Sequence, residues 1–352
     1  METTEPLIFD GHNDVLFKLF NAGGVKAAES FVFGCDGAID LPRAKMGGLG
    51  GGFFAIYIPS DDFSLDDLGA MKIPPYDLPL PKPIGLSAAT AVTLQQAAIL
   101  IRLQELGALE ICTTAAQIKD CMAKGKLAAI MHIEGAEGID EDFHALDVLH
   151  QAGLRSLGPV WSRPTAYGHG VPFRFPSDGD IGPGLTEAGF RLIRRCNELK
   201  IMVDLSHLNE AGFWDIAKHS DAPLVATHSN AHAICDSSRN LTDKQLSAIA
   251  ESDGMVGVNF AVNFLREDGQ QDAGTSVEII LRHLDHLINI LGEDRVGLGS
   301  DYDGATVPEA ISSVAGLLNL RDAMRAHGFN EPLLNKLCHE NWLRVLEKTW
   351  GA

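Results

Sequence analysis

Eight short apolar runs recur along the chain: "LIF" from residue 7, "GFFAIYI" from 52, "LAAIMHI" from 127, "RSLGPV" from 155, "IMVDLS" from 201, "PLVATH" from 223, "MVGVNF" from 255 and "RVGLGS" from 295. Most are near-continuously apolar rather than alternating, as strands covered on both faces must be. Between them lie stretches with helical periodicity: 88–106, 115–123, 143–152, 186–199, 210–218, 242–250 and 276–291. In the stretch Thr186 to Leu199, for example, Phe190, Ile193 and Cys196 or Asn197 recur at spacings of three and four and form one apolar stripe. Eight strands alternating with helices predict an α/β fold, a (β/α)8 TIM barrel. After the eighth run, "AISSVAGLLNLRDAMRAHG" and "EPLLNKLCHENWLRVLEK" predict two C-terminal helices that close the ring and pack as a tail.

No linker or shift in composition divides residues 1–352, so a single barrel domain is expected, a length such barrels commonly reach. Two connections are long: 59–87, with six prolines, and 162–184, rich in proline and glycine. Structureless loops of that length in a compact domain usually serve a site, as lids or walls over it.

Active sites of such barrels form where the strands end. Run one ends in His12 and Asp14; run three in His132, Glu134 and Gly135; run five in Ser206 and His207; run six in His228; run eight in Ser300, Asp301 and Asp303. Each has an ordinary explanation. His12 and Asp14 are two positions apart and face one point from an extended strand, but Asp, Asn and Gly also belong to a polar turn. Glu134 serves equally as a helix cap, and Asp301 with Asp303 as an Asx turn. Packing, however, does not call for ionisable groups at five strand ends. The set suits a zinc-like divalent ion, either one ion with groups to spare or two sharing a carboxylate. Two ions about 3.5 Å apart would acidify a water between them and polarise a carbonyl. Glu134, between the candidate ligands of run one and those of runs five and six, is the natural bridge.

Charge narrows the partners. There are 28 basic against 47 acidic residues, a net charge of −19, which repels nucleic acid and anionic lipid. The six cysteines are scattered without a paired motif, as in reduced proteins. The first residues carry no basic stretch before an apolar segment, and no apolar run of about 18 residues interrupts the chain, so a cytoplasmic protein with no membrane partner is expected.

The segments "DGHND", "HIEGAEGI", "VDLSHLNE", "THSNAHAICDSSRNLTD" and "GLGSDYDG" resemble the membrane (renal) dipeptidase family of zinc metallopeptidases, peptidase family M19, on an amidohydrolase-type barrel. The resemblance covers nearly the whole chain. It implies two zinc ions: one held by His12, Asp14 and Glu134, the other by Glu134, His207 and His228. It implies that Asp301 exchanges protons with the attacking water and the leaving amine, and that Arg239 binds the substrate's terminal carboxylate. Binuclear hydrolysis of free dipeptides follows, with tolerance for a D-residue at the carboxyl side. An N-acyl amino acid deacylase, lactonase or deaminase on the same barrel stands as the alternative. Family members often pair, so a homodimer is one expectation.

One position departs from the family pattern. A substrate-contacting histidine expected after strand four aligns here with Trp161, leaving His169 or Arg163 to reach the same oxygen, or Trp161 as a packed wall. His132, although it precedes Glu134 by two residues and faces the same way, is not a ligand in the family pattern. It is expected to orient a carboxylate.

Overall fold

A computed structural model of the protein describes residues 5–60 and 67–351. All eight apolar runs form parallel strands: β1 (Ile8–Asn13), β2 (Leu49–Tyr57), β3 (Ala128–Glu134), β4 (Leu154–Gly158), β5 (Met202–Val203), β6 (Val225–Ala226), β7 (Met255–Asn259) and β8 (Val296–Gly299). Their order around the sheet is β5-β4-β3-β2-β1-β8-β7-β6. A parallel bridge from Asp204, just past β5, to Val225 in β6 brings the two edges together. The result is a nearly closed eight-stranded barrel, as the alternation of runs and helices predicts. A further strand, Glu110–Ile111, pairs with the start of β3 outside the ring.

β5 and β6 are much shorter than their apolar runs. The Asp204 carboxylate accepts the backbone N–H groups of Ser206 (3.0 Å) and Thr227 (2.9 Å), so a side chain takes over where a ladder would continue. A side chain that satisfies backbone donors ends a strand without leaving an unpaired buried group.

The predicted helices form within a few residues of their expected limits; 115–123 matches at both ends. Several start on conventional caps, as where Thr186 accepts from Gly189 N–H and Thr242 forms a capping box with Gln245. Three helices between β1 and β2 escape the periodicity reading: Val15–Asn21, Ala28–Phe33 and Leu41–Gly47. They are too short to display a stripe, and Leu41–Gly47 depends on its Asp40 cap, which accepts Arg43 N–H at 2.8 Å. Helix Leu86–Glu105 is long and apolar enough to cross a membrane by length and composition. Here it buries one face, including Ala89, Gln96, Leu100 and Leu103, in the protein.

The C-terminal helix does more than pack as a tail. Asn341–Trp350 closes the amino-terminal mouth of the barrel, and fully buried Trp342 joins Phe9, Phe53, Met202, Val225 and Met255 in a core of its own. Its indole N–H donates to the Leu298 carbonyl at 3.1 Å. Strand glycines make the room: a Cβ at Gly11 or Gly257 would lie 2.6 or 2.9 Å from the Trp342 ring. The barrel is thus sealed below and open above, where the two long loops meet. Tyr76–Asp77 of the first pairs antiparallel with Arg174–Phe175 of the second, so the expected walls are joined; residues 61–66 of the first loop lie outside the described residues.

Buried His283, in helix Glu278–Leu291, ties down the loops after β6 and β7. Its Nδ1 accepts Ala231 N–H at 3.2 Å and its Nε2 lies 2.9 Å from the Leu265 carbonyl, which defines a neutral tautomer. Burial pushes its pKa from 6.5 down to about 4. Below pH 6.5 the unfolded chain therefore binds a proton that the fold refuses, and stability falls as pH drops through that window. Urea unfolding at pH 7 and pH 5 should show a loss of about 2 kcal/mol from this residue, and His283→Gln should flatten the pH dependence by that amount.

Candidate metal centre

At the upper end of the barrel the strand-end groups converge on one atom. Glu134 Oε1 lies 3.0 Å from His207 Nε2, 3.4 Å from His228 Nε2 and 3.6 Å from His12 Nε2. His207 Nε2 and His228 Nε2 are 3.0 Å apart, and His12 Nε2 is 3.4 Å from Asp14 Oδ2. Asp301 completes a second group of donor atoms with His12 and Asp14. All five predicted ligands are buried. β1 delivers His12 and, one residue beyond it, Asp14; β3 delivers Glu134 as its last residue; His207 and His228 follow β5 and β6. Two of the groups stand on left-handed backbone, His207 at φ 65° and Asp301 at φ 59°. That conformation is costly for residues with a side chain and is concentrated at functional sites.

The hydrogen bonds around the imidazoles leave their Nε2 atoms facing inward. The Thr227 hydroxyl donates to Asp204 Oδ2 (2.6 Å) and so accepts from His228 Nδ1 (2.8 Å), which places the His228 proton on Nδ1. His207 Nδ1 is held by Ser162 Oγ at 2.8 Å. Neither ring nitrogen of His12 has a hydrogen-bond partner, although the residue is fully buried. Donor atoms bound to one tetrahedral zinc ion lie about 3.3 Å from one another. The 3.0–3.6 Å spacings around Glu134 Oε1 match that edge. These residues therefore fit a divalent metal.

Electrostatics gives the same answer. Burial and the nearby Asp14 and Asp301 carboxylates push the Glu134 pKa well up. Burial depresses His12, yet Glu134 and Asp14 outweigh it and hold the His12 proton up to about 10. Burial, with the positive charges of Arg239 and His12, pushes His207 and His228 well down. Carboxylates crowded in a dry site raise one another's affinity for protons, and a bound dication relieves the same repulsion.

His132 lies outside this ring of donors. Its Nδ1 is 2.9 Å from Ser156 Oγ and its Nε2 3.6 Å from Asp204 Oδ2; burial lowers its pKa to about 3. It stands beside a carboxylate, as expected, and that carboxylate is Asp204. The sequence reading passed over Asp204, which lies in the apolar run "IMVDLS" three residues before His207. It also passed over Asn259, the last residue of β7, whose Nδ2 donates to Asp301 Oδ2 at 2.9 Å. Asn259 Oδ1 is taken by Ala261 N–H at 2.6 Å, so its amide can turn only one way. A polar residue closing an otherwise apolar strand was the available signal for both.

A cavity of about 260 Å³ opens above these groups, lined by Asp14, Glu134, His207 and Asp301 on its floor and by Tyr57, Trp161, Phe173 and Phe264 on its walls. Trp161 is a wall residue, its ring centroid 5.9 Å from that of His207. Arg163 is committed elsewhere: fully buried, it binds Glu137 at 2.6 Å and the Ile58 carbonyl at 3.0 Å. His169 is half-buried in the following loop and does not line the cavity. Arg239 is buried behind the wall, 5.4 Å over the Phe264 ring, with Nη2 donating to the His228 carbonyl at 3.1 Å and Nε without a partner. None of the six cysteines is in a disulfide.

The sequence profile of the membrane dipeptidase family matches residues 3–350. A metallopeptidase from Rhodobacter sphaeroides, solved with a phosphinate mimic of the dipeptide L-Ala-D-Ala, is 55% identical, with a TM-score of 0.96 over 99% of this chain and 100% of that one. The dipeptidase AC, a metallopeptidase of family M19, is 56% identical with the same TM-score and coverage. An uncharacterized Klebsiella pneumoniae protein encoded in the pqqA 5' region is 51% identical over 73% of this chain and 95% of its own length. The chain belongs to the membrane dipeptidase family, peptidase family M19.

Proposed function

We propose that this metallopeptidase is a binuclear zinc dipeptidase that cleaves the peptide bond of free dipeptides and accepts a D-residue at the carboxyl side. One observation carries the reading: three imidazole nitrogens from three different strand ends lie 3.0–3.6 Å from a single oxygen of a buried glutamate. His12, Asp14 and Glu134 would hold one ion; Glu134, His207 and His228 the other. The ions supply Lewis acidity, which makes water nucleophilic at neutral pH and polarises the scissile carbonyl. Support for the D-residue comes from the L-Ala-D-Ala mimic bound by the Rhodobacter sphaeroides relative.

The protein's own groups do the remaining work. Asp301 is the base. With Oδ2 occupied by Asn259, its Oδ1 receives the proton of the attacking water and returns it to the departing nitrogen. Arg239, whose Nε has no partner among the described residues, would bind the terminal carboxylate and thereby set how far a substrate extends past the scissile bond. The aromatic walls exclude water and leave room for only a short substrate.

Purified protein incubated with L-Xaa-D-Xaa and L-Xaa-L-Xaa dipeptides should release free amino acids, stop after chelation and recover with zinc. Zinc-replete protein that cleaves none of them would overturn the assignment. Asp301→Asn should retain both ions by elemental analysis while kcat falls about 10²–10⁴-fold. Arg239→Ala should lower kcat/KM about 30- to 150-fold, the equivalent of about 2–3 kcal/mol, for substrates with a free carboxylate and much less for their amides. Equal losses on both would favour a deacylase or lactonase instead.

A further inference from the structure

In the chemistry above, negative charge develops on the carbonyl oxygen, where a hydrogen-bond donor of the protein adds to whatever a metal supplies. We propose that Tyr57 is a catalytic residue: its phenol O–H donates a hydrogen bond to the oxygen of the scissile carbonyl and to the oxyanion formed from it. The proposal rests on the dipeptidase reading and adds a residue to it.

Tyr57 is the last residue of β2, and in the parallel register its partner on β3 is Glu134. Register partners of parallel strands point to the same face, so the phenol and the Glu134 carboxylate share the upper end of the barrel. Both line the cavity. The ring is held between two others, 5.1 Å from Phe17 at 82° and 5.1 Å from Trp161 at 66°. The backbone is held as firmly. Buried Gln96 accepts Tyr57 N–H at 3.0 Å and donates to the Tyr57 carbonyl at 2.5 Å, so one amide side chain clamps both polar groups of one residue. The next carbonyl, that of Ile58, is bound by Arg163. Yet the hydroxyl donates to none of the described residues. A residue fixed at ring and backbone but with its polar tip unused, facing a reaction site, is built for a ligand.

Of the other neutral groups around the cavity, Asn263 Nδ2 lies against Met71 Sδ at 3.0 Å, and Ser60 Oγ accepts from Arg163. Burial and the Glu134 and Asp14 charges push the phenol's ionisation far up, so Tyr57 keeps its proton throughout and acts only as a donor. The hydrogen bond strengthens as charge develops on the oxygen, which favours the transition state over the ground state. Trp161 then serves to hold the Tyr57 ring.

The test is Tyr57→Phe, which removes one oxygen and keeps the packing. On a dipeptide that the wild type cleaves, kcat should fall about 10²-fold with KM changed less than about threefold. Affinity for a phosphinate dipeptide mimic, whose tetrahedral centre carries the oxyanion, should weaken by the same factor, with zinc stoichiometry and melting temperature unchanged. A variant with wild-type kcat, or one whose loss lies wholly in KM, overturns the proposal. So does an unchanged phosphinate affinity, a binding measurement that needs no turnover. A wild type that cleaves no dipeptide at all would sink the dipeptidase reading, whereas the phosphinate comparison would still judge Tyr57.

Discussion

The structure is organised around a concentration of buried charge that the protein alone leaves uncompensated. Glu134, Asp14 and Asp301 are gathered with three imidazoles where water is scarce, and the positive charge facing them comes from Arg239 and the proton held on His12. An isolated carboxylate in such a place would cost several kcal/mol, and three would be untenable without protons or cations. The electrostatics shows which: Glu134 is driven towards protonation and His12 clings to its proton, both marks of a site that demands positive charge. A metal cofactor, which the family implies, meets that demand with positive charge.

Holding such a centre requires rigidity below it and selectivity above it, and the barrel separates the two. At the amino-terminal mouth, Trp342 fills the interior and meets glycines of β1 and β7, a packing that permits no free volume. At the other mouth, polar side chains take over from backbone ladders: Asp204 ends β5 and meets β6, Thr227 connects it to His228, and Asn259 turns Asp301. Each fixes a tautomer or a rotamer of a group in the donor cluster, and around a metal such support normally matters nearly as much as the ligands themselves.

Trp161 gives the site a large apolar wall. In this protein that wall packs on Tyr57 and Phe173 (5.1 and 5.6 Å between centroids) and lies over His207. Arg163 is locked in a buried pair with Glu137, where it ties together the ends of β2, β3 and β4. Its contribution is to the frame. His169 stays in the following loop, clear of the cavity.

Much of this was legible along the chain. Apolar runs covered on both faces, spaced by amphipathic stretches, already specify the barrel, because a parallel strand and its crossover helix each carry a local and periodic signature. The clustering of the strand-end groups was legible too, since barrel topology brings every strand end to one rim and ionisable groups there stand out against an apolar background. What only the tertiary structure decided has no such local signature. That Trp342 enters the barrel floor, that Gln96 clamps Tyr57 from 39 positions away, and that Asn259 turns towards Asp301 and Arg163 away from the cavity all depend on contacts between distant segments. A sequence records which groups exist and where each element begins; which way a buried polar side chain turns is settled by the partner it finds once the elements have packed.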